Sequence, residues 1–198
     1  HDMSLMAGVV ASVLDYLKID KCALIGHSMG GYVALAFARL HPRRLSGLGL
    51  FHSTALADSE EARRNRDRAI EIIRQNHHGF LSGFIPSLFA PDNRKSLSKE
   101  IGELVADARN MTARGVIAAQ QGMKLRQDNT AVLSELRVPV CFIAGHLDER
   151  IPLEGLAGQF LLPETAFVLL LRHSGHMGYL EAADDTFSFI KYFLSRCA

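Results

Sequence analysis

The feature that most limits what this chain can fold into is a short apolar run, Lys21 to Gly26. It leads directly into Gly26-His27-Ser28-Met29-Gly30-Gly31 and then into an Ala- and Leu-rich stretch over 29–40. The apolar run predicts a buried parallel strand over 21–26. The following stretch predicts a helix, ended by His41-Pro42. A serine placed between strand and helix in a G-x-S-x-G pattern must sit on a tight, strained turn. Side chains two residues to either side would collide there, so Gly26 and Gly30 are expected to keep the turn open. The turn projects the Ser28 hydroxyl from the sheet's edge. It also aims the Met29 backbone N–H, at a helix N-terminus, at the same spot, where an oxyanion could be held. Three fixed residues alone are a weak pattern; the strand before and the helix after give it weight.

The remaining pattern extends this unit. Leu5, Met6, Val9, Val10, Val13, Leu14 and Leu17 recur at helical spacing, giving a helix over 3–18. Further apolar runs predict strands over 45–51, 138–144 and 166–171, with helices over 153–161 and 179–195. Alternating strands and helices imply an α/β fold, a parallel sheet with flanking helices. The stretch 53–135 breaks the rhythm. It has no convincing strand and reads as helices over 58–76, 79–89, 96–109, 111–122 and 129–136. Such an insertion sits over the strands' C-terminal ends, where ligand sites form in this class. The expected organisation is one domain over 1–198, with a core of 1–52 and 136–198 and a helical lid insertion over 53–135.

Two more loops fall on the edge that carries Ser28. Strand 138–144 runs into Gly145-His146-Leu147-Asp148-Glu149-Arg150, and strand 166–171 into Arg172-His173-Ser174-Gly175-His176-Met177-Gly178. A carboxylate and a histidine just past successive parallel strands share the face of Ser28. The chain order Ser, Asp, His is the one this triad takes on this architecture. Ser28 is therefore the candidate nucleophile, His176 the base that takes and returns its proton, and Asp148 the acid that orients the ring. Glu149 is the neighbouring alternative to Asp148. His173 competes with His176 but lacks the flanking Gly pair that lets a loop carry a side chain inward. His27, His146 and His52 lie along the same edge and read as pocket lining or surface. Candidate substrate-lining residues are Met29, His27, Phe51, His52, Phe80, Phe84, Phe89, Leu147 and Met177, a mostly apolar set.

Composition excludes several alternatives. Apolar residues make up 48% and charged residues 22% of 198 positions, with a formal net charge of +1, so no electrostatic partner is implied and no nucleic acid is expected. The one dense basic run, Arg63, Arg64, Arg66 and Arg68, alternates with Glu60, Glu61 and Asp67 and reads as a solvated helix face. No run is long enough to span a bilayer. Cys22 and Cys141 sit in apolar runs and read as core residues, and Cys197 as a free thiol. Three cysteines cannot pair completely, which fits a cytoplasmic location. No cofactor is implied, and no His, Cys or Asp set has metal-ligand spacing.

The GHSMGG, GHLDERIP and HSGHMGYLE segments together resemble the α/β-hydrolase superfamily, in its lidded group of small serine esterase-like enzymes. The resemblance runs from the helix before the elbow to the C-terminal helix. Ser28 argues against the dehalogenase and epoxide hydrolase branches, which use an Asp nucleophile. The resemblance implies hydrolysis of a carboxylic ester or thioester with a small to medium apolar acyl group. The alternative is a catalytically impaired or ligand-binding protein on the same scaffold. Family members carry about four strands and a helix ahead of such a segment, including a loop that supplies the second oxyanion N–H. No other Gly-rich loop here takes that role. Strand 21–26 is then expected to be an open edge, covered by a second copy of the chain or by a preceding N-terminal segment.

Overall fold

The computed structural model describes residues 2–197. Four strands, β1 (Cys22–His27), β2 (Leu45–Phe51), β3 (Val140–Gly145) and β4 (Ala166–Leu171), form a parallel sheet in the order β1-β2-β3-β4. The two central strands are the apolar ones. Every residue of β3 is buried, as is all of β2 but Ser46. β4 buries only alternate residues to any depth, leaving Val168 and Leu170 exposed.

Helix α1 (Met3–Tyr16), within the expected span 3–18, packs on α2 (Met29–Leu40), and of the apolar residues that predicted it Leu14, Met6 and Val10 reach the core. Met3, Ala7, Ala11 and Leu14 face the core, while Leu5, Val9, Val13 and Leu17 are exposed. The small residues let α1 lie close against the Ala-rich α2, whose residues Gly31 to Ala38 are all buried. Close packing of small residues selects this face over one defined by side-chain bulk. Asp2 fixes the start of α1 by accepting a 2.7 Å hydrogen bond from Leu5 N–H.

Between β2 and β3 lie α3 (Glu60–Phe84), α4 (Ser98–Ala108), α5 (Ala113–Lys124) and α6 (Thr130–Glu135), with short 3-10 turns at 86–88 and 91–93. The expected helices over 58–76 and 79–89 join as α3 across a break at Asn76, where φ is −155° and ψ is 82°. The Asn76 side chain accepts a 2.8 Å bond from Gly79 N–H, so it caps the second half of the helix as a new start. Beyond β3 come α7 (Leu153–Leu156), α8 (Gly178–Glu181) and α9 (Ala183–Leu194).

The basic run on α3 is not uniformly solvated. Arg66 bonds both oxygens of the buried Asp58 and also reaches Gln120, and Arg126 closes on the same carboxylate while stacking over Tyr32 at 4.0 Å. Buried carboxylates need such partners, and Asp58 recruits two. All three cysteines are unpaired. Cys141 is buried, Cys22 is only half-buried, and Cys197, a free thiol as expected, is buried beneath Gly47.

Candidate active site

The residues just past β1, β2 and β3 hang in step from the neighbouring strands. Ser28 N–H donates to Phe51 O at 2.8 Å, His52 N–H to Ile143 O at 2.8 Å, and His146 N–H to Leu171 O at 2.9 Å. This continuation of the ladder sets the turn that carries Ser28. Its backbone has φ 52° and ψ −118°, a region that L residues avoid, at a strain of roughly 1–3 kcal/mol. A Cβ on Gly26 would lie 2.2 Å from the Gly30 backbone, so Gly26 is obligatory. Gly30 is not, since an added Cβ there meets nothing within 4 Å. The second tight position is Gly31, where a Cβ would lie 2.3 Å from Ser53 Oγ. The collision falls on Gly31 because that residue faces the β2 loop. Met29 is the first residue of α2, so its N–H has no acceptor within that helix.

Ser28, His176 and Asp148 form a continuous hydrogen-bonded line. Ser28 Oγ–H donates to His176 Nε2 at 2.8 Å, and His176 Nδ1–H donates to Asp148 Oδ2 at 2.8 Å. Asp148 Oδ1 accepts from Arg150 N–H at 2.8 Å and Ile151 N–H at 3.0 Å. Burial pushes the Asp148 carboxyl up. Hydrogen bonds from His176 and His52, the charge of His176 and the Ile151 N–H outweigh burial and hold it well below the usual carboxylate range. Glu149 and His173, the alternatives to Asp148 and His176, are both exposed.

The loop carrying His176 is held at every backbone N–H from 175 to 178. Glu181 accepts from Gly175 N–H at 2.9 Å and Met177 N–H at 3.1 Å. His176 N–H donates to Leu88 O at 2.7 Å, and Gly178 N–H donates to His52 Nε2 at 3.1 Å. The other oxygen of Glu181 accepts from Ala90 N–H at 2.7 Å and Asn93 Nδ2 at 3.0 Å, tying the loop to the helical segment above. His27 Nε2–H donates to His176 O at 2.8 Å, and burial lowers the His27 ring to about 4. Gly175 and Gly178 leave no room for a Cβ against Leu88, Ala90 and His52. Glu181 was not among the sequence candidates, although it stands five residues after His176 on the short helix that follows the loop.

Several expected lining residues lie elsewhere. His52 is fully buried behind Asp148, donating from Nδ1 to Asp148 Oδ2 at 3.0 Å, and with both nitrogens engaged it has none for a substrate. Phe51 is sheet core, packed with Ile143 and Leu171. Phe89 and Met177 pack on each other with Ile85 and Ile101, and Phe80 packs with Ile73, Leu81 and Val116. These side chains follow the apolar interior they can reach, which here lies beneath the loops. Phe84 stacks on Phe80 and lies under the Arg150 guanidinium, and Leu147 is exposed. A cavity of about 270 Å³ does open beside the acid's loop, lined by Tyr32, Leu56, Arg126, Arg150, Ile151 and Leu156 among others. Its arginines were not expected in a pocket, because their positions depend on contacts distant in sequence. One ligand atom from each of His52, Asp148 and His176 lies within 4.8 Å of the others, and both rings contact the same carboxylate oxygen, Asp148 Oδ2, at 3.0 and 2.8 Å.

A four-stranded parallel sheet with flanking helices and a Ser-His-Asp line at its C-terminal edge defines a hydrolase class, and the chain belongs to the alpha/beta hydrolase fold family, whose model matches residues 1–183. Within that family it is similar to a thermophilic esterase from Thermogutta terrifontis, solved with malate bound. The two share 31% identity at a TM-score of 0.92, covering all of this chain and 73% of that one. It is also 29% identical to the dihydrolipoyllysine-residue acetyltransferase component of the acetoin cleaving system of Pseudomonas putida, over 93% of this chain and 48% of that protein. A 2-hydroxy-6-oxononadienedioate/2-hydroxy-6-oxononatrienedioate hydrolase of Paraburkholderia phymatum is 28% identical, over 91% and 64%. The chain thus spans about half to two thirds of the length of these curated relatives. Among the described residues no helix is long and apolar enough to cross a membrane.

Proposed function

We propose that the chain carries the machinery of a serine hydrolase acting on a carboxylic ester or thioester through an acyl-enzyme, with Ser28, His176 and Asp148 as the triad. The observation that carries this reading is the unbroken line from Ser28 Oγ through His176 to Asp148, with both links at 2.8 Å and Ser28 on a strained elbow. Ser28 Oγ attacks the carbonyl carbon as its proton passes to His176 Nε2. Asp148, held ionised, stabilises the imidazolium. The Met29 N–H donates to the developing oxyanion. His176 returns the proton to the departing alkoxide or thiolate, and water cleaves the acyl-Ser28 ester by the same steps. The acyl group is small to medium and mostly apolar, and the helical segment 53–135 serves as the lid that excludes water. Unpaired cysteines fit a cytoplasmic setting. The unpaired side of β1 and the exposed stripe of Leu5, Val9 and Val13 are covered in the working protein by a second copy or by a preceding segment. Light scattering on this chain checks that claim, and a stable monomer would refute the second copy.

The test is labelling by a fluorophosphonate probe with the modified residue located by mass spectrometry. Adduct on Ser28, lost in Ser28→Ala, is expected. Adduct on another residue, or none, would favour a ligand-binding protein on the same scaffold.

A further inference from the structure

His52 is fully buried and, among the described residues, is the one such ionisable ring without a role in the acyl-transfer steps. It directly follows β2 with φ 48°, a left-handed backbone that is uncommon outside Gly, although His adopts it more readily than most residues. Its ring stacks on Phe51 with centroids 5.0 Å apart. Gly178 N–H donates to Nε2, so that nitrogen must offer a lone pair, and the proton of the neutral ring must sit on Nδ1. From there it reaches Asp148 Oδ2, the same oxygen that accepts from His176 Nδ1. The ring thereby spans two loops far apart in sequence, one carrying the acid and the other carrying the base two residues before Gly178.

We propose that His52 is a positioning residue of the triad: it braces the acid's loop against the base's loop and divides Asp148 Oδ2 between two rings, weakening the acid's hold on protonated His176. The inference rests on the triad reading above. Each additional N–H on a carboxylate oxygen draws off electron density that would otherwise favour a cation beside it. The groups facing His52 are Asp148, His176, His27 of β1 at 5.7 Å between ring centroids, and Glu181 of α8, which adds its field. Protonating His52 would set an N–H against the Gly178 N–H. Burial, the largest influence, likewise lowers the ring's affinity for a second proton, against the pull of Asp148. His52 therefore stays a neutral donor while His176 cycles.

Two substitutions separate its two bonds. In His52→Asn the amide nitrogen falls near Nδ1 and still donates to Asp148. In His52→Gln the amide oxygen falls near Nε2 and accepts from Gly178, while the donation to Asp148 is lost. The readout is the rate of fluorophosphonate labelling of Ser28 against pH. The acidic limb is expected to move up by roughly 0.5–1 pH unit in His52→Gln and to stay in place in His52→Asn. An unmoved limb in His52→Gln, or equal movement in both, overturns the proposal, since a space-filling histidine would slow labelling without displacing the limb. Nitrogen-15 NMR of the wild-type chain, labelled at histidine, gives a test that needs neither variant to fold. The Nδ1–H tautomer of His52 is expected throughout neutral pH, and a protonated Nε2 overturns the proposal. A labelled Ser28 with an unmoved limb refutes the role of His52 and leaves the triad standing. An unlabelled Ser28 with the Nδ1–H tautomer refutes acyl transfer and leaves the brace.

Discussion

Replacing Glu181 by Gln keeps the side chain's size and removes one of its two acceptor oxygens. The carboxylate takes four hydrogen bonds at 2.7–3.1 Å, two from the loop around His176 and two from Ala90 and Asn93. Whichever way the amide settles, its NH₂ faces one of these donor pairs, so two bonds are lost and two N–H groups are left opposed. Bonds to a charged acceptor are worth about 1.5–3 kcal/mol each. Glu181 is half-buried and the four bonds are neighbours, so they do not add fully. The expected destabilisation is about 3 kcal/mol. Urea denaturation of the variant, beside the exposed control Glu154→Gln, measures it. Loosening of the base should also slow fluorophosphonate labelling of Ser28 on the order of ten-fold, because sub-ångström misplacement of a catalytic group is costly. Equal urea midpoints for the two variants, with equal labelling rates, would refute the view that Glu181 seats the base.

With p-nitrophenyl butyrate as substrate, His176→Ala should remove activity as completely as Ser28→Ala, since the pair acts as a unit, whereas His173→Ala keeps most of it. Asp148→Asn should be severe and Glu149→Gln mild, and the reverse order would move the acid. Gly31→Ala should abolish folding or labelling through its contact with Ser53, while Gly30→Ala should be tolerated and stabilise α2 by up to about 1 kcal/mol, as seen by thermal denaturation. His27 and His52 both hold protons less tightly folded than unfolded, so the unfolded chain binds more protons as pH falls. Stability should therefore drop between about pH 6.5, where unfolded histidines titrate, and about 4, where folded His27 does; a urea midpoint constant over that range would contradict this.

The strands and the strand-to-helix turn at Ser28 could be read from the chain because their patterns lie among neighbours in sequence, whereas the tight position at Gly31 could not, since its contact is Ser53. The strand over 45–51 and the helix over 29–40 stand where their apolar patterns put them. The break at Asn76 was also legible, as the end of one predicted helix, since its cause is a side chain reaching three residues ahead. Features built from distant contacts were not legible. The buried face of α1 depends on how closely α2 approaches, which helical periodicity alone does not tell. His52 looked like an edge residue because its partners lie 96 and 126 positions away. The Asp58, Arg66 and Arg126 cluster likewise joins residues that pattern and spacing leave unrelated.

The bonds that join Leu88, Ala90 and Asn93 to the loop of His176 and to its anchor Glu181 bear on how a ligand could enter. A cover that swung away as one body would pull the base off Ser28 at each opening. Residues 86–93 must therefore behave as a fixed post, with any gate built from what lies on either side. The break at Asn76 is suited to be a hinge, because the helix is already interrupted there and its second half is capped separately. Motion of the long N-terminal arm of α3 about that point would move Ala62 and Arg66 in the wall of the cavity beside Arg126 and Arg150, and would have to release Arg66 from Asp58, while the post stayed seated. Admission of a ligand and alignment of the proton-transfer line would then be mechanically independent.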